Sequence, residues 1–250
     1  MTNLWAIIRK DLLEIFRARG TYFYIPGMFL MSTFFFFSYF ALYGQIANEK
    51  PDVILATTRV FLNGMGYMLP MLYALFACNL SSAGLVFEKQ KRSLESLMAT
   101  PVSIRRIWIG KSLSATLSAL AIAYGASIVA YCVIALAEVY PKVHKAIAPH
   151  GLAFLTALVL VPLTIFTISL LVSYIQLVTR NPRMGNLVYG LLLLVSWGAL
   201  FLASFYLPAL GISVDYYPLI FVGLIVVFGT VAYLCSRALT KEKVVLSSKG

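Results

Sequence analysis

Few residues in this chain could do chemistry, and Gly110-Lys111-Ser112 come first. A glycine, a lysine and a hydroxyl in that order end the phosphate loop G-x-x-x-x-G-K-[ST], whose backbone N–H groups and lysine cradle a nucleotide. That loop needs its first glycine at position 105, which is Arg105, and Trp108 and Ile109 fill the turn that must stay open. No apolar strand leads into it, so no nucleotide site is assigned. His144 and His150 stand between apolar segments, and Cys78, Cys132 and Cys235 are far apart within or at the ends of such segments. The cysteines read as small packing residues rather than a disulfide or metal set. Hydrolytic or group-transfer chemistry inside a membrane needs convergent acids or histidines at that depth, and an ion-coupled carrier needs an ionisable group there. The long apolar stretches contain no Asp, Glu, Lys or Arg, so neither catalytic residues nor metal ligands are expected, and the substrate path is not identified.

A second kind of chemistry is recognition. The stretch KQKRSLESLMATP, Lys89 to Pro101, sits between two apolar segments. Ser93 can cap a helix starting at Leu94, and Pro101 stops that helix within two turns. Leu94, Leu97 and Met98 then share an apolar face while Glu95 and Ser96 point away. Such a knob suits a groove on a soluble partner, with the surrounding Lys and Arg matching an acidic rim. A short helix lying on anionic headgroups is the alternative.

The elements that must position this knob are membrane spans. Of 250 residues 61% are hydrophobic and only 12% charged, with a mean hydropathy of +0.88; soluble domains carry about a quarter charged residues. Six long runs are free of charge: Gly20–Asn48, Val60–Phe87, Ser112–Ala137, Ala146–Thr179, Met184–Val214 and Tyr216–Ser236. Each holds the ~20 residues that cross a ~30 Å hydrocarbon core as a helix. Spans are placed at about 21–46, 61–87, 112–138, 151–176, 186–208 and 218–236. Phe34 to Phe37 and Leu191 to Val195 lack the alternation of a membrane barrel.

Lysine and arginine set the orientation. The N-terminal segment, the loop after span two, the loop after span four and the tail together carry sixteen basic residues, against Lys50, Arg59, Lys142 and Lys145 on the other side. The first side is expected to be cytoplasmic, with both termini there. This asymmetry explains the net charge of +11, and nucleic acid is not an expected partner.

Leu4, Ile8, Leu12, Ile15 and Phe16 recur at helical spacing, with Arg9, Lys10, Glu14 and Arg17 opposite. Residues 1–20 are therefore read as an amphipathic helix in the membrane interface, anchored by Trp5, Arg9, Leu12 and Phe16. In span three Ala115, Ala119, Ala123 and Ser127 fall four apart, a small-residue face for close helix approach within the chain or between two chains. In span four Thr164 and Thr167 flank the kink expected at Pro162. Asn63, Asn79, Ser81, Ser82 and Ser196 read as helix glue.

The central loop also resembles that of the type-2 ABC export permeases, E-[RK]-E-x-G-T-L-E-x-L-x-x-[TS]-P with G-K some nine residues on. This chain has Glu88, Lys89, Leu94, Glu95, Leu97, Thr100 and Pro101, then Gly110-Lys111, and departs from the pattern at Gln90, Arg92 and Ser93. Arg180-Asn181-Pro182-Arg183 and Asn186 are similar to the family's basic loop before span five. The resemblance covers essentially the whole chain. It implies an all-α integral membrane protein: one permease domain over residues 1–250, with six spans, the interfacial helix 1–20 and a cytoplasmic coupling loop 88–111. It further implies an exporter subunit in the cell membrane that pairs with a second permease chain, identical or related. Such a subunit docks a separate cytoplasmic ATPase through Glu88, Leu94, Glu95, Leu97, Met98, Thr100 and Pro101. The permease itself binds no cofactor and is no enzyme; ATP and Mg belong to the ATPase. A stand-alone channel or secondary carrier not driven by ATP is the alternative.

Overall fold

A computed structural model describes residues 5, 8–13, 19–90, 102–144, 147, 150–179, 184, 187–188, 190–196, 198–199, 218–240 and 244. Among them every regular element is a helix. Helix α1 is Arg19–Ile46, α2 is Pro51–Gln90 and α3 is Ile104–Ile134. Helix α3 runs on through a π-helical turn, Ala135–Val139, into α4, Tyr140–Val143. After a hairpin, α5 (Gly151–Leu155) continues through a second π-helical turn, Thr156–Leu160, into α6, Val161–Val178. Helix α7 is Pro218–Ala238. Among the described residues four stretches are long and apolar enough to cross a membrane: Pro51–Cys78, Ile104–Val143, Gly151–Val178 and Pro218–Ala238. Helix α1 has 28 residues, and the fifth span expected at 186–208 is described only in part, with 190–196 helical.

Helices α2 and α3 are longer than the charge-free runs that announced them. Helix α2 has 40 residues and the stretch from Ile104 to Val143 another 40, each about 60 Å long at 1.5 Å per residue and twice the hydrocarbon thickness. A charged side chain ends residence in lipid without ending a helix, so Asp52 and Arg59 ride on the first turns of α2. Arg105, Arg106 and Lys111 likewise ride on the first turns of α3, so of the expected loop 88–111 residues 88–90 belong to the last turn of α2 and 104–111 to the first turns of α3.

Helix α2 is the centre of the bundle. Met71 to Leu75 are buried at five consecutive positions, which is possible only for a helix surrounded by others. Its most extensive packing is against α3. On α3 the small residues Ala115, Ala119, Ala123, Ser127 and Ala130 are buried within the single chain. Small side chains let backbones approach where lipid supplies no hydrophobic drive. The outward faces of α3, α5 and α7 carry Ile128, Val133, Leu155, Val226 and Val227, all exposed.

Prolines explain the two π-helical turns. Pro141 and Pro162 each stand two residues past the end of such a turn. A proline gives no N–H to the carbonyl four residues back and crowds it; that carbonyl belongs to Ala137 in one case and Leu158 in the other, the middle of each turn. The wider turn absorbs the conflict without breaking the helix. Around the second turn hydroxyls take up carbonyl capacity. Tyr124 donates across from α3 to the Ala157 carbonyl, Thr164 donates to Leu160 O at 2.8 Å, and Thr167 to Thr164 O at 2.8 Å.

Polar side chains inside the bundle join or seal helices. Cys78 Sγ lies 3.1 Å from Ser169 Oγ, Tyr39 Oη lies 3.2 Å from Thr58 Oγ1, and Ser196 donates to Leu192 O. Asn63 Oδ1 accepts the His150 backbone N–H at 2.7 Å. The two histidines serve helix ends. His144 adopts the left-handed conformation that terminates α4 (φ 54°), and the His150 ring accepts from Leu152 N–H at the start of α5. Asn79, Ser81 and Ser82 have side chains outside the described set.

Overpacking the α3 face should be costly. Ala123→Leu is expected to destabilise the bundle by about 1–3 kcal/mol, whereas Ala121→Leu on the exposed side of the same helix should leave it unchanged. Thermal unfolding of the purified chain in detergent, followed by size-exclusion fluorescence, checks both.

Candidate functional site

Helix α3 starts at Ser103, whose backbone is extended (φ −69°, ψ 142°). The Ser103 carbonyl accepts Arg106 N–H at 3.0 Å and Ile107 N–H at 3.2 Å, so the helix begins through its backbone, with no side-chain cap. Over the next two turns Ile104, Ile107 and Trp108 face inward while Arg105, Arg106 and Ile109 face out. This short stretch follows directly on residues 91–103.

Two clamps hold it. In one, Trp108 donates its indole N–H to the Leu170 carbonyl of α6 at 3.0 Å. Its ring stands edge-on to Tyr174 with centroids 6.4 Å apart. Ile104, Leu177, Leu239 and Val244 complete a small apolar core. The start of α3, the end of α6 and the chain beyond α7 therefore meet at one end of the bundle.

The other clamp is ionic. Lys111 Nζ donates to Asp11 Oδ1 at 2.8 Å, and the two side chains are only 7% and 8% exposed. Ser114 Oγ lies 3.2 Å from Asp11 Oδ2 and 2.9 Å from the Lys111 carbonyl. A hydroxyl has one proton, so it serves one of these acceptors at a time. Asp11 belongs to the N-terminal helical segment 8–13, where Ile8, three residues earlier on the same face, is also buried. The segment thus docks on the base of α3 through one apolar and one acidic side chain. Separating a charge from its partner at such depth leaves an uncompensated ion, at a cost of several kcal/mol.

The interfacial residues expected from the sequence divide accordingly. Trp5 is 62% exposed and Arg9 exposed, both turned away from the bundle; Leu12 is half-buried, and Phe16 lies outside the described residues. Leu94, Glu95, Leu97, Met98, Thr100 and Pro101 also lie outside them. Glu88 falls on the last turn of α2 with its side chain outside them. Ala115, Ala119, Ala123 and Ser127 continue up α3 from the ionic clamp.

Sequence reasoning missed Asp11, Ser114 and the task of Lys111. Lys111 stands in the sequence as the lysine of a failed phosphate loop and of the family's G-K pair, and Asp11 belongs to no motif. The signal available was spacing: Asp11 stands three residues from Ile8, on the side of the helix that meets the bundle. An acid at that place calls for a cation, and the lysine of Gly110-Lys111-Ser112 supplies it instead of binding phosphate.

Neutralising either charge should unsettle this end of the bundle. Asp11→Asn or Lys111→Met is expected to cost about 3 kcal/mol, and the pair of substitutions together less than the sum of the two. A double-mutant cycle on denaturant unfolding in micelles measures the coupling.

Comparison with known proteins agrees with this architecture. A family model described as ABC-2 family transporter protein matches residues 5–211, from the N-terminal segment past the fifth expected span. No curated protein and no solved structure matches the chain. With its apolar spanning helices, the chain belongs to the ABC-2 transporter family and is a multi-pass membrane component of transport.

Proposed function

We infer that this chain is the permease subunit of an ATP-driven exporter. It has six spans, both termini in the cytoplasm, and a docking site for a separate ATPase in the loop 91–103. The ATPase binds and hydrolyses ATP with Mg, and this chain binds neither. Leu94, Leu97 and Met98 form the apolar knob that enters the ATPase, with Glu95 and the flanking basic residues at its rim. Thr100 and Pro101 end the knob just before the start of α3, and Glu88 stands where α2 leaves for the loop.

The observation that carries this reading is the buried Asp11–Lys111 pair with Ser114. The first turns of α3 after the loop are joined there to the N-terminal segment, and through Trp108 to α6. A displacement of the loop by a closing ATPase is then delivered to three parts of the bundle at once. The long overshoot of α2 and α3 past the hydrocarbon gives the loop a pair of stiff levers. Packed cores respond to such a push by switching between discrete arrangements rather than by gradual deformation, which is the physical basis for alternating access. Two copies of this chain, or one copy and a relative, would enclose the path. The exposed apolar faces of α3, α5 and α7 are available to lipid or to that second chain. The basic residues of the clamped end (Arg105, Arg106, Lys111, Arg237) support a cytoplasmic location for it by the positive-inside rule.

Two measurements test the reading. Leu97→Asp or Met98→Asp should abolish co-purification of the ATPase while leaving helical content by circular dichroism intact; retained ATPase would sink the docking role. In whole cells a cysteine introduced at Leu97 should react only with reagents that cross the membrane, and His144→Cys with impermeant ones. The reverse pattern would overturn the orientation.

A further inference from the structure

The end of the bundle opposite the ionic clamp carries a second charged arrangement, unrelated to the loop. Near the end of α1, Tyr39, Phe40 and Tyr43 surround the ammonium group of Lys142, with Nζ 5.5, 4.8 and 5.0 Å from the three ring centroids. All three distances fall inside the ~6 Å over which a ring face attracts a cation. Glu138, one turn before Lys142, pairs with the same ammonium. Tyr39 is fixed by its contact with Thr58 Oγ1 and by Phe61, whose ring centroid lies 5.1 Å away. Three aromatic faces and a carboxylate around one nitrogen are the components of an ammonium receptor, here holding a side chain of its own protein.

We propose that this cage is a binding site for alkylammonium groups, protonated amines or trimethylammonium, and that Lys142 is its resident competitor. Three features make the occupant exchangeable. The cage opens on the surface, since Phe40 is 60% exposed and Tyr43 only half-buried. Lys142 rides on α4, four residues held between a π-helical turn and the left-handed His144. Withdrawing it disturbs a local turn at a hairpin and spares the packed core. Glu138 is anchored on the preceding turn and remains beside the rings when Lys142 leaves, so the counter-charge for an incoming cation is already in place. Lysine also has three N–H donors to satisfy, and rings satisfy none of them well. A trimethylammonium group has no N–H and suits the cage better on that count. The source of such a group is either an amine-bearing lipid headgroup or a soluble organic amine.

The probe is radiolabelled tetramethylammonium, measured by equilibrium dialysis against the full-length chain in maltoside micelles, with sodium chloride balancing ionic strength. Lys142→Gln, which vacates the cage, is expected to bind one equivalent saturably and about tenfold more tightly than the native chain. Adding Phe40→Ala and Tyr43→Ala should remove that gain. Lys142→Met serves as a second vacated cage should glutamine refill it or prevent folding. The proposal fails if neither vacated variant binds saturably while both keep native helicity and elution, or if removing the rings leaves binding unchanged. Repeating the titration in nanodiscs separates the sources. Loss of tetramethylammonium binding in phosphatidylcholine but not phosphatidylglycerol assigns the cage to a lipid headgroup, and equal binding in both assigns it to a soluble amine.

Discussion

Asp11 and Lys111 hold each other's charge away from water at the place where two segments a hundred residues apart in the chain meet. The rest of this end of the bundle depends on that meeting. An apolar pair could join the N-terminal segment to α3 with as much stability, because taking two ions out of water consumes much of their mutual attraction. What the ionic pair adds is direction. The carboxylate presents one oxygen to Nζ and the other to Ser114 Oγ, so the segment sits at one rotation about its own axis with Ile8 inward and Trp5 and Arg9 outward. Trp108 does the same for α6 through a single indole N–H, with a greasy collar of Ile104, Leu177, Leu239 and Val244 around it. The start of α3 is therefore fixed to three neighbours over two turns, directly after the loop proposed to dock an ATPase.

The remainder of the fold transmits rather than fixes. Helix α2 is enclosed on all sides over Met71 to Leu75, and its most extensive packing is against α3, whose alanines and serines are buried. Interior helices packed this closely move as units, since small side chains leave no slack between backbones. The departures from α-helical geometry lie elsewhere. Each π-helical turn precedes a proline by the same spacing, and both flank the hairpin between α4 and α5. The clamps lie at one end of the bundle and the π-helical turns toward the other, where Lys142 reaches into the rings of α1.

Much of this was legible in the residues. Four of the expected spans, those beginning near 61, 112, 151 and 218, fall on the helices long and apolar enough to cross a membrane, because freedom from charge over twenty residues reports directly on the solvent. Helix ends were not legible by that rule. The charges at Arg59 and Lys111 end the charge-free runs, while backbone hydrogen bonds carry the helices on for about two more turns. The hydroxyls near Pro162 were expected to seal a kink. Thr164 and Thr167 do bond back to their own helix, yet the conflict at Pro162 is absorbed by a π-helical turn that no propensity announces. The ionic clamp escaped because each half has an ordinary reading alone: an acid in an amphipathic helix, and a lysine on the basic side of a membrane protein. Only their juxtaposition turns two surface charges into a buried pair, and sequence spacing carries no information about a contact made across a hundred residues.

The central claim is that the N-terminal segment and the base of α3 move as one body. Spin labels at Trp5→Cys and Ile109→Cys, both exposed positions, in a background with Cys78, Cys132 and Cys235 replaced, report their separation by pulsed electron resonance in the reconstituted complex with the ATPase. The account predicts one narrow distance that is the same without nucleotide and with trapped ATP, and that broadens when Asp11→Asn is added. A distance that shifts on trapping ATP in the otherwise native chain would contradict it.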